Sequence, residues 1–271
     1  LTIMMQIKNK VVMVTGASKG IGRSLAIEFV KNGAITVLAA RSVGELKKLE
    51  SILKSSDGKV FSVFLDLTSK KSIESAVKEV IGKYGKIDVL VNNAGVGLFD
   101  NISDSKSEDI KKLFETNFFG PLFLIQNVLP YMRKRKTGMI VNISSAISKY
   151  SLFYQGIYSA SKAALERITE ALSIEEHKNG IKTLLVIPDR TRTHFRNNVL
   201  GKKKFAKLPF KLPESSPDLL ANKIVKSIIK GKSIYYTSLR SRIYTAASGL
   251  CPQLINKIFK KSHKKFITGL K

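Results

Sequence analysis

Two side chains able to share a proton stand four residues apart in the stretch "GIYSASKAAL", residues 156–165: Tyr158 and Lys162. Residues at that spacing lie on one face of a helix, roughly 5–6 Å apart at Cβ. A free phenol titrates at about 10, and a neighbouring ammonium pulls it toward the working range by favouring the phenolate. A second candidate is "TGASKGIG" (15–22), with Gly16, Gly20 and Gly22 between a strand pattern and a helix pattern. A turn of that kind lets backbone N–H groups and the positive end of a helix meet a pyrophosphate. Its spacing is GxxxGxG rather than the more common GxGxxG. Taken singly, the pair also reads as a plain helix surface and the turn as plain structure.

The elements that must carry these residues alternate. Strand patterns at 10–16, 35–41, 59–67, 87–95, 138–145, 181–188 and 233–236 are separated by helical patterns at 20–33, through Leu53, at 72–85, broadly 104–134, from 156 and at 217–230. Pro121 and Pro130 are expected to interrupt or bend the fourth of these. Such alternation predicts an α/β fold, a doubly wound parallel sheet covered by helices on both faces, in a single domain with a C-terminal helical extension.

Composition narrows the setting. The 271 residues are 44% apolar, enough for one substantial core. The single cysteine, Cys251, excludes an internal disulfide and fits a reducing compartment. No apolar run reaches the roughly eighteen residues of a membrane span, and the first residues lack a signal-peptide core. The expected location is cytoplasmic, peripheral on a membrane surface if the basic tail described below binds one. His177, His194 and His263 are scattered, so no metal site is expected.

Five motifs in order carry a resemblance: "TGASKGIG", "NNAG" (92–95), Asn117, "NISS" ending at Ser145, and "YSASK" (158–162). Together they resemble the short-chain dehydrogenase/reductase family, over about residues 9–195 and more weakly through 217–230. Ser145 precedes Tyr158 by the family's thirteen residues. The resemblance implies that Tyr158 is the general acid or base, that Lys162 lowers its pKa and holds the nicotinamide ribose, and that Ser145 hydrogen-bonds the substrate oxygen. It implies that Asn117 sits in a helix irregularity and completes a proton relay through water, and that Asn92 fixes neighbouring backbone.

The cofactor site implied by the resemblance comprises Gly16, Ser18, Lys19, Gly20, Ile21 and Gly22 in the turn, then Arg41, Asp66, Leu67, Asn93, Ala94 and Gly95, then Tyr158, Lys162, Pro188 and Thr193. Asp66 matches the acid that meets the adenine amine. Where the family usually reads Pro-Gly, this chain has Pro188-Asp189, which puts Thr193 in doubt because Asp lacks glycine's access to positive φ. An NAD-preferring member would place an acid at the end of the second strand. Ala40 stands there, followed by Arg41, and Lys19 lies in the turn. Two cations without a carboxylate suit a 2′-phosphate, so the expected cofactor is NADP(H).

Residues 189–271 hold 20 Lys plus Arg against three acids, a net +17 of the formal +27. The loop within 189–216 interleaves lysines with Phe195, Leu200, Phe205, Leu208 and Phe210, the pattern of an apolar substrate lid. The expected catalytic domain is 5–238 and the basic extension 239–271. In that tail, Leu254, Ile255, Ile258, Phe259 and Phe266 are expected on one helical face and Lys257, Lys260, Lys261 and Lys264 on the opposite one. A basic amphipathic helix points to an anionic membrane surface, with packing against its own domain or a dimer partner as the competing reading. No motif for specific nucleic-acid binding is present.

The expected activity is an NADPH-dependent reductase acting on a lipophilic, small-molecule carbonyl, assembled as a homodimer or homotetramer through helices around 104–134 and 156–178. One alternative is a 3-oxoacyl carrier-protein reductase, although that group resembles shorter chains ending soon after the last strand. The other is a non-catalytic NADP(H) sensor or scaffold, against which the retained tyrosine and lysine argue.

Overall fold

A computed structural model of the chain describes residues 5–193, 195, 199–202 and 214–268, with side chains up to Lys264 in the last helix. His194, Phe205, Leu208, Phe210 and the side chain of Phe266 therefore lie outside the described residues.

Seven parallel strands form the central sheet in the order β3-β2-β1-β4-β6-β7-β9. They are β1 (Val11–Thr15), β2 (Ile35–Ala40), β3 (Val60–Phe64), β4 (Val89–Asn92), β6 (Gly138–Ile143), β7 (Ile181–Ile187) and β9 (Ile234–Tyr236). A separate parallel pair joins β5 (Gly97–Leu98) to β8 (Val199–Leu200). The inner strands are apolar on both sides because helices cover both faces. Val12 and Val14 pack with α1 (Gly20–Lys31), α2 (Val43–Lys54) and α7 (Pro217–Ile229). Val11 and Met13 face the opposite core, with α3 (Lys70–Tyr84), α5 (Gly120–Lys134) and α6 (Gly156–Glu175). The chain runs β1 to β3 toward one edge and then crosses to β4 on the other side of β1. That reversal opens a crevice beyond the carboxyl ends of β1 and β4, the place where such sheets bind ligands.

The long helical stretch breaks at neither proline. α4 (Ser107–Phe114) passes into one π-helical turn, Glu115–Phe119, before α5 begins. Pro121 lies in the first turn of α5, where its missing N–H costs no hydrogen bond, and Pro130 is accommodated inside the helix. The π turn is held by the side chain of Asn117, which accepts from the Val96 amide (2.9 Å) and donates to the Val96 carbonyl (2.9 Å).

Two further helices follow β9: α8 (Leu239–Leu250) and α9 (Pro252–Thr268). They fold back onto the domain rather than projecting from it. Ile255 is buried, and the Phe259 ring packs 5.4 Å from Tyr150. The expected single apolar face is divided. Ile255, Phe259 and His263 turn inward, whereas Leu254 and Ile258 remain 56% and 42% exposed. At 100° per residue the Leu254–Ile258 row lies between the inward row and the exposed lysines 257, 260, 261 and 264. No helix among the described residues is long and apolar enough to cross a membrane.

Candidate active site

The glycine turn leaves β1 at Thr15 and enters α1 at Gly20. Gly16 and Gly20 have φ of +66° and +55°, the left-handed region that glycine adopts without strain. Gly22 is required for another reason, since a Cβ there would collide with the Gly16 carbonyl. Lys19, the residue before α1, offers no side-chain cap, and the first turn of the helix has no acid. Its N–H groups are thus directed at the crevice, a ready site for an anion.

The ends of β1 and β4 are sewn together across the crevice. Thr15 Oγ1 accepts from the amides of Asn93 and Ala94, both at 3.0 Å, and Asn93 Nδ2 donates to the Thr15 carbonyl at 2.9 Å. Asn92 instead reaches Asn142 on β6 (2.8 Å), which continues to Thr169 on α6 (2.7 Å). This buried ladder fixes the register between the sheet and the helix bearing Tyr158.

On α6, Tyr158 and Lys162 are one turn apart and face the same cavity. Ser145, on an extended backbone just after β6, hydrogen-bonds to the Tyr158 hydroxyl. Lys162 is 4% exposed, and its Nζ donates to the Ile143 carbonyl at 3.0 Å. Asn117 Nδ2 also donates to Ser161 Oγ (3.1 Å), tying the π turn to the same helix. Gly95 passes so close that a Cβ there would sit 3.2 Å from Asn117 Oδ1 and 3.4 Å from Lys162 Nζ. The four residues expected to act together are brought together.

Their electrostatics differ from the sequence expectation in one respect. Burial pushes the Tyr158 phenol up to about 12, with the Ser145 hydrogen bond opposing it in part. The same burial lowers Lys162 from 10.5 to about 8. The ammonium is engaged by a backbone carbonyl, and desolvation outweighs the lowering that a nearby cation would give the phenol. Tyr158 therefore rests as the protonated acid at neutral pH.

The Lys162 shift has a stability consequence. Between pH 8 and 10.5 the unfolded chain holds a proton that the folded chain has lost, so stability rises with pH across that window. Below it the buried charge carries its full desolvation cost. Lys162→Met should thus melt a few degrees above the parent at pH 7, and the gap should close as pH rises from 8 to 10.5. A variant that melts lower, or by a pH-independent margin, would contradict this.

One cavity of ≈ 490 Å³ joins the glycine turn to Ser145, Tyr158 and Lys162, with Asn117 buried behind its lining. Its far end is lined by Arg41, Ser42, Asp66 and Leu67, its middle by Gly16, Ser18–Ile21 and Asn93–Gly95, and its near end by Ser145, Tyr158, Lys162, Pro188 and Thr193. Gly22 stands behind the turn as packing. Thr193 lies against the glycine turn, where a Cβ on Gly20 would meet its methyl at 3.4 Å. Asp66 Oδ1 accepts from the Thr68 amide (3.0 Å) and hydroxyl (2.9 Å), which holds the carboxylate at the end of β3. Ala40 closes β2 beside exposed Arg41 and Lys19, with no carboxylate at that position.

A model of the short chain dehydrogenases matches residues 10–204. The chain belongs to the short-chain dehydrogenase/reductase family. A 3-ketodihydrosphingosine reductase of Bacteroides thetaiotaomicron is 39% identical over 189 residues, 70% of this chain and 66% of that protein. Dehydrogenase/reductase SDR family member 7B of Mus musculus is 38% identical over 198 residues, 72% of this chain and 61% of that one. The chain thus spans less than two thirds of the length of either relative. Among solved structures, an alcohol dehydrogenase from Thermococcus sibiricus complexed with 5-hydroxy-NADP is 26% identical, covers 86% of this chain and 96% of its own, and superposes with a TM-score of 0.74. A short-chain dehydrogenase/reductase from Burkholderia phymatum in complex with NAD shares the fold at a TM-score of 0.84 and 22% identity, over 93% of this chain and 96% of its own. Both nicotinamide dinucleotides occur among these structural neighbours.

Several residues at the site carried no signal in the motifs. Tyr150, Leu152 and Gln155 line the near end of the cavity from an irregular segment between the Ser145 turn and α6. Glu166, 1% exposed, accepts from Ser148 Oγ (2.7 Å) and pairs with Lys149 and Arg167, bracing the turn that follows Ser145. Its position one turn beyond Lys162 was the available clue.

Proposed function

We propose that this short-chain dehydrogenase/reductase reduces a lipophilic carbonyl compound with NADPH, Tyr158 acting as the general acid. The observation that carries the reading is Tyr158 beside Ser145 and one helical turn from the buried Lys162, at one end of a cavity whose other end carries Lys19 and Arg41. A dinucleotide fits this cavity: Arg41 and Lys19 would hold a 2′-phosphate, the first turn of α1 the pyrophosphate, and Lys162 with Asn93–Gly95 the nicotinamide side. NADPH, when bound, supplies hydride to the carbonyl carbon. Ser145 would orient the carbonyl oxygen, and Tyr158 would deliver its proton there as negative charge develops, giving the alcohol. The Lys162 ammonium would then stabilise the phenolate until a proton returns, Asn117 holding a water that links this lysine to solvent. NADPH consumption by the purified protein with a panel of ketones tests the proposal; consumption with none of them would refute it.

The lipophilic preference and a membrane surface belong to the same reading. Leu239, Ile243 and Leu250 on α8 and the Leu254–Ile258 row on α9 are exposed apolar residues, 42–82% accessible. The lysines of α9 lie beside that row. Apolar insertion and lysine attraction to anionic lipid act together, each lysine contributing about 1 kcal/mol near such a surface. Full-length protein should co-sediment with phosphatidylserine-containing vesicles and be released as salt rises. Replacing Leu254 and Ile258 by Asp should release it at low salt. Equal sedimentation of parent and variant would show that this row does not meet lipid. Exposed Phe119, Tyr131 and Ile174 on the π turn, α5 and α6 support self-association through those helices.

A further inference from the structure

Asp189 stands where the family reads glycine, and the structure supplies a use for its side chain. Its φ is not positive, so no strain attends the exchange. The Asp189 amide donates to Thr237 Oγ1 (2.8 Å), and its carboxylate accepts from Ser238 Oγ (2.9 Å) and pairs with Arg240 (2.6 Å). Glycine could make only the first of these. The pair is 14% and 30% exposed, shielded more than most surface ion pairs. Asp189 also lines the cavity. One residue therefore fastens the cavity rim beyond β7 to the first turn of α8.

A second set of contacts reaches the same helices from the other side. Tyr150 lines the cavity, and its ring lies 6.0 Å from Tyr244 of α8 and 5.4 Å from Phe259 of α9. Phe153 stacks at 4.8 Å on His263. The segment carrying Tyr150 and Leu152, which forms the wall near Ser145, is thus backed by α8 and α9 and not by solvent. Residues beyond 204 lie outside the stretch that matches the family model.

We infer that α8 and α9, clasped by the Asp189–Arg240 pair, back the wall that Tyr150 and Leu152 give the substrate end of the cavity, and by holding that wall in place select carbonyl compounds bearing a long alkyl chain. The Tyr150 ring and Leu152 give the cavity an apolar wall, held from behind by Tyr244 and Phe259, against which each buried methylene adds affinity. A short ketone held at Ser145 and Tyr158 does not extend to it. Asp189 and Arg240 are positioning residues here, acting through Tyr150. The inference rests on the reductase reading for the reacting carbonyl, while the wall itself is tested by binding alone.

The test compares the full-length parent with Arg240→Ala, Phe259→Ala and the conservative Arg240→Lys. Affinity for 2-dodecanone is measured by calorimetry with NADP⁺ present, and turnover is measured with 2-dodecanone and with 2-butanone. Both alanine variants should bind 2-dodecanone about tenfold more weakly, raise its KM to match, and hold kcat/KM for 2-butanone within about twofold. Arg240→Lys should recover most of the loss. An equal loss on both ketones would mark a merely structural role, and unchanged 2-dodecanone affinity, or no binding by the parent, would overturn the wall. If the parent reduces neither ketone, the reductase reading falls separately; the calorimetric comparison still decides this inference.

Discussion

Tyr158→Phe should lower kcat for carbonyl reduction at least about a hundredfold while NADPH affinity stays nearly unchanged. The variant loses one hydroxyl and keeps the ring that packs 5.9 Å from Phe195, so the cavity holds its shape. What disappears is the proton that Ser145 orients toward the developing oxyanion, and positioned acid–base groups contribute about 10²–10⁴-fold. Because only the transition state uses that proton, kcat and kcat/KM should fall together. Lys162→Ala should act differently. It removes the buried ammonium that stabilises the phenolate and holds the ribose side, so turnover and cofactor affinity should both drop. Near-normal reduction by Tyr158→Phe would remove the acid role from this residue.

The second large effect concerns cofactor choice. The parent should bind NADPH well ahead of NADH, because Arg41 and Lys19 border the end of β2 and no carboxylate stands at Ala40. Hydrogen bonds to charged groups are worth about 1.5–3 kcal/mol each, so a guanidinium on a 2′-phosphate is worth more than tenfold in affinity. Ala40→Asp combined with Arg41→Ser should weaken NADPH by about a hundredfold, through lost pairing and new repulsion, and improve NADH. Fluorescence titration of both cofactors against both proteins checks this. Equal affinities in the parent would show that the pocket at the end of β2 does not read the phosphate.

Most of the frame was legible because strand–helix alternation and apolar runs state it directly. β1, β2, β6 and β7 fall within a residue or two of their sequence patterns. The third strand pattern ran three residues too far, since Leu65 and Leu67 are apolar core residues that continue the alternation beyond Phe64 into the loop. Pro121 and Pro130 point to the wrong place for the break in the long helix, whereas the resemblance puts an irregularity at Asn117, and the break lies at Glu115–Phe119. Hydrogen bonds from the Asn117 side chain to the Val96 backbone hold it, and a contact between residues 21 positions apart leaves no periodic trace. The tail showed its amphipathic pattern plainly. Which apolar row faced inward could not follow from periodicity, because Tyr150 and Phe153, which receive Phe259 and His263, are distant in sequence. The Asp189 departure was visible as a doubt about local geometry; its pairing with Arg240 needed the fold.

Reduction with NADPH deuterated at the transferable position of the nicotinamide tests the central claim most directly. Incubated with the parent protein and a long-chain ketone, it should yield an alcohol carrying one deuterium on the former carbonyl carbon, seen by mass spectrometry, and Tyr158→Phe should yield almost none in the same time. NADPH consumption without deuterium in the product, or labelled alcohol formed equally well by Tyr158→Phe, would contradict the account.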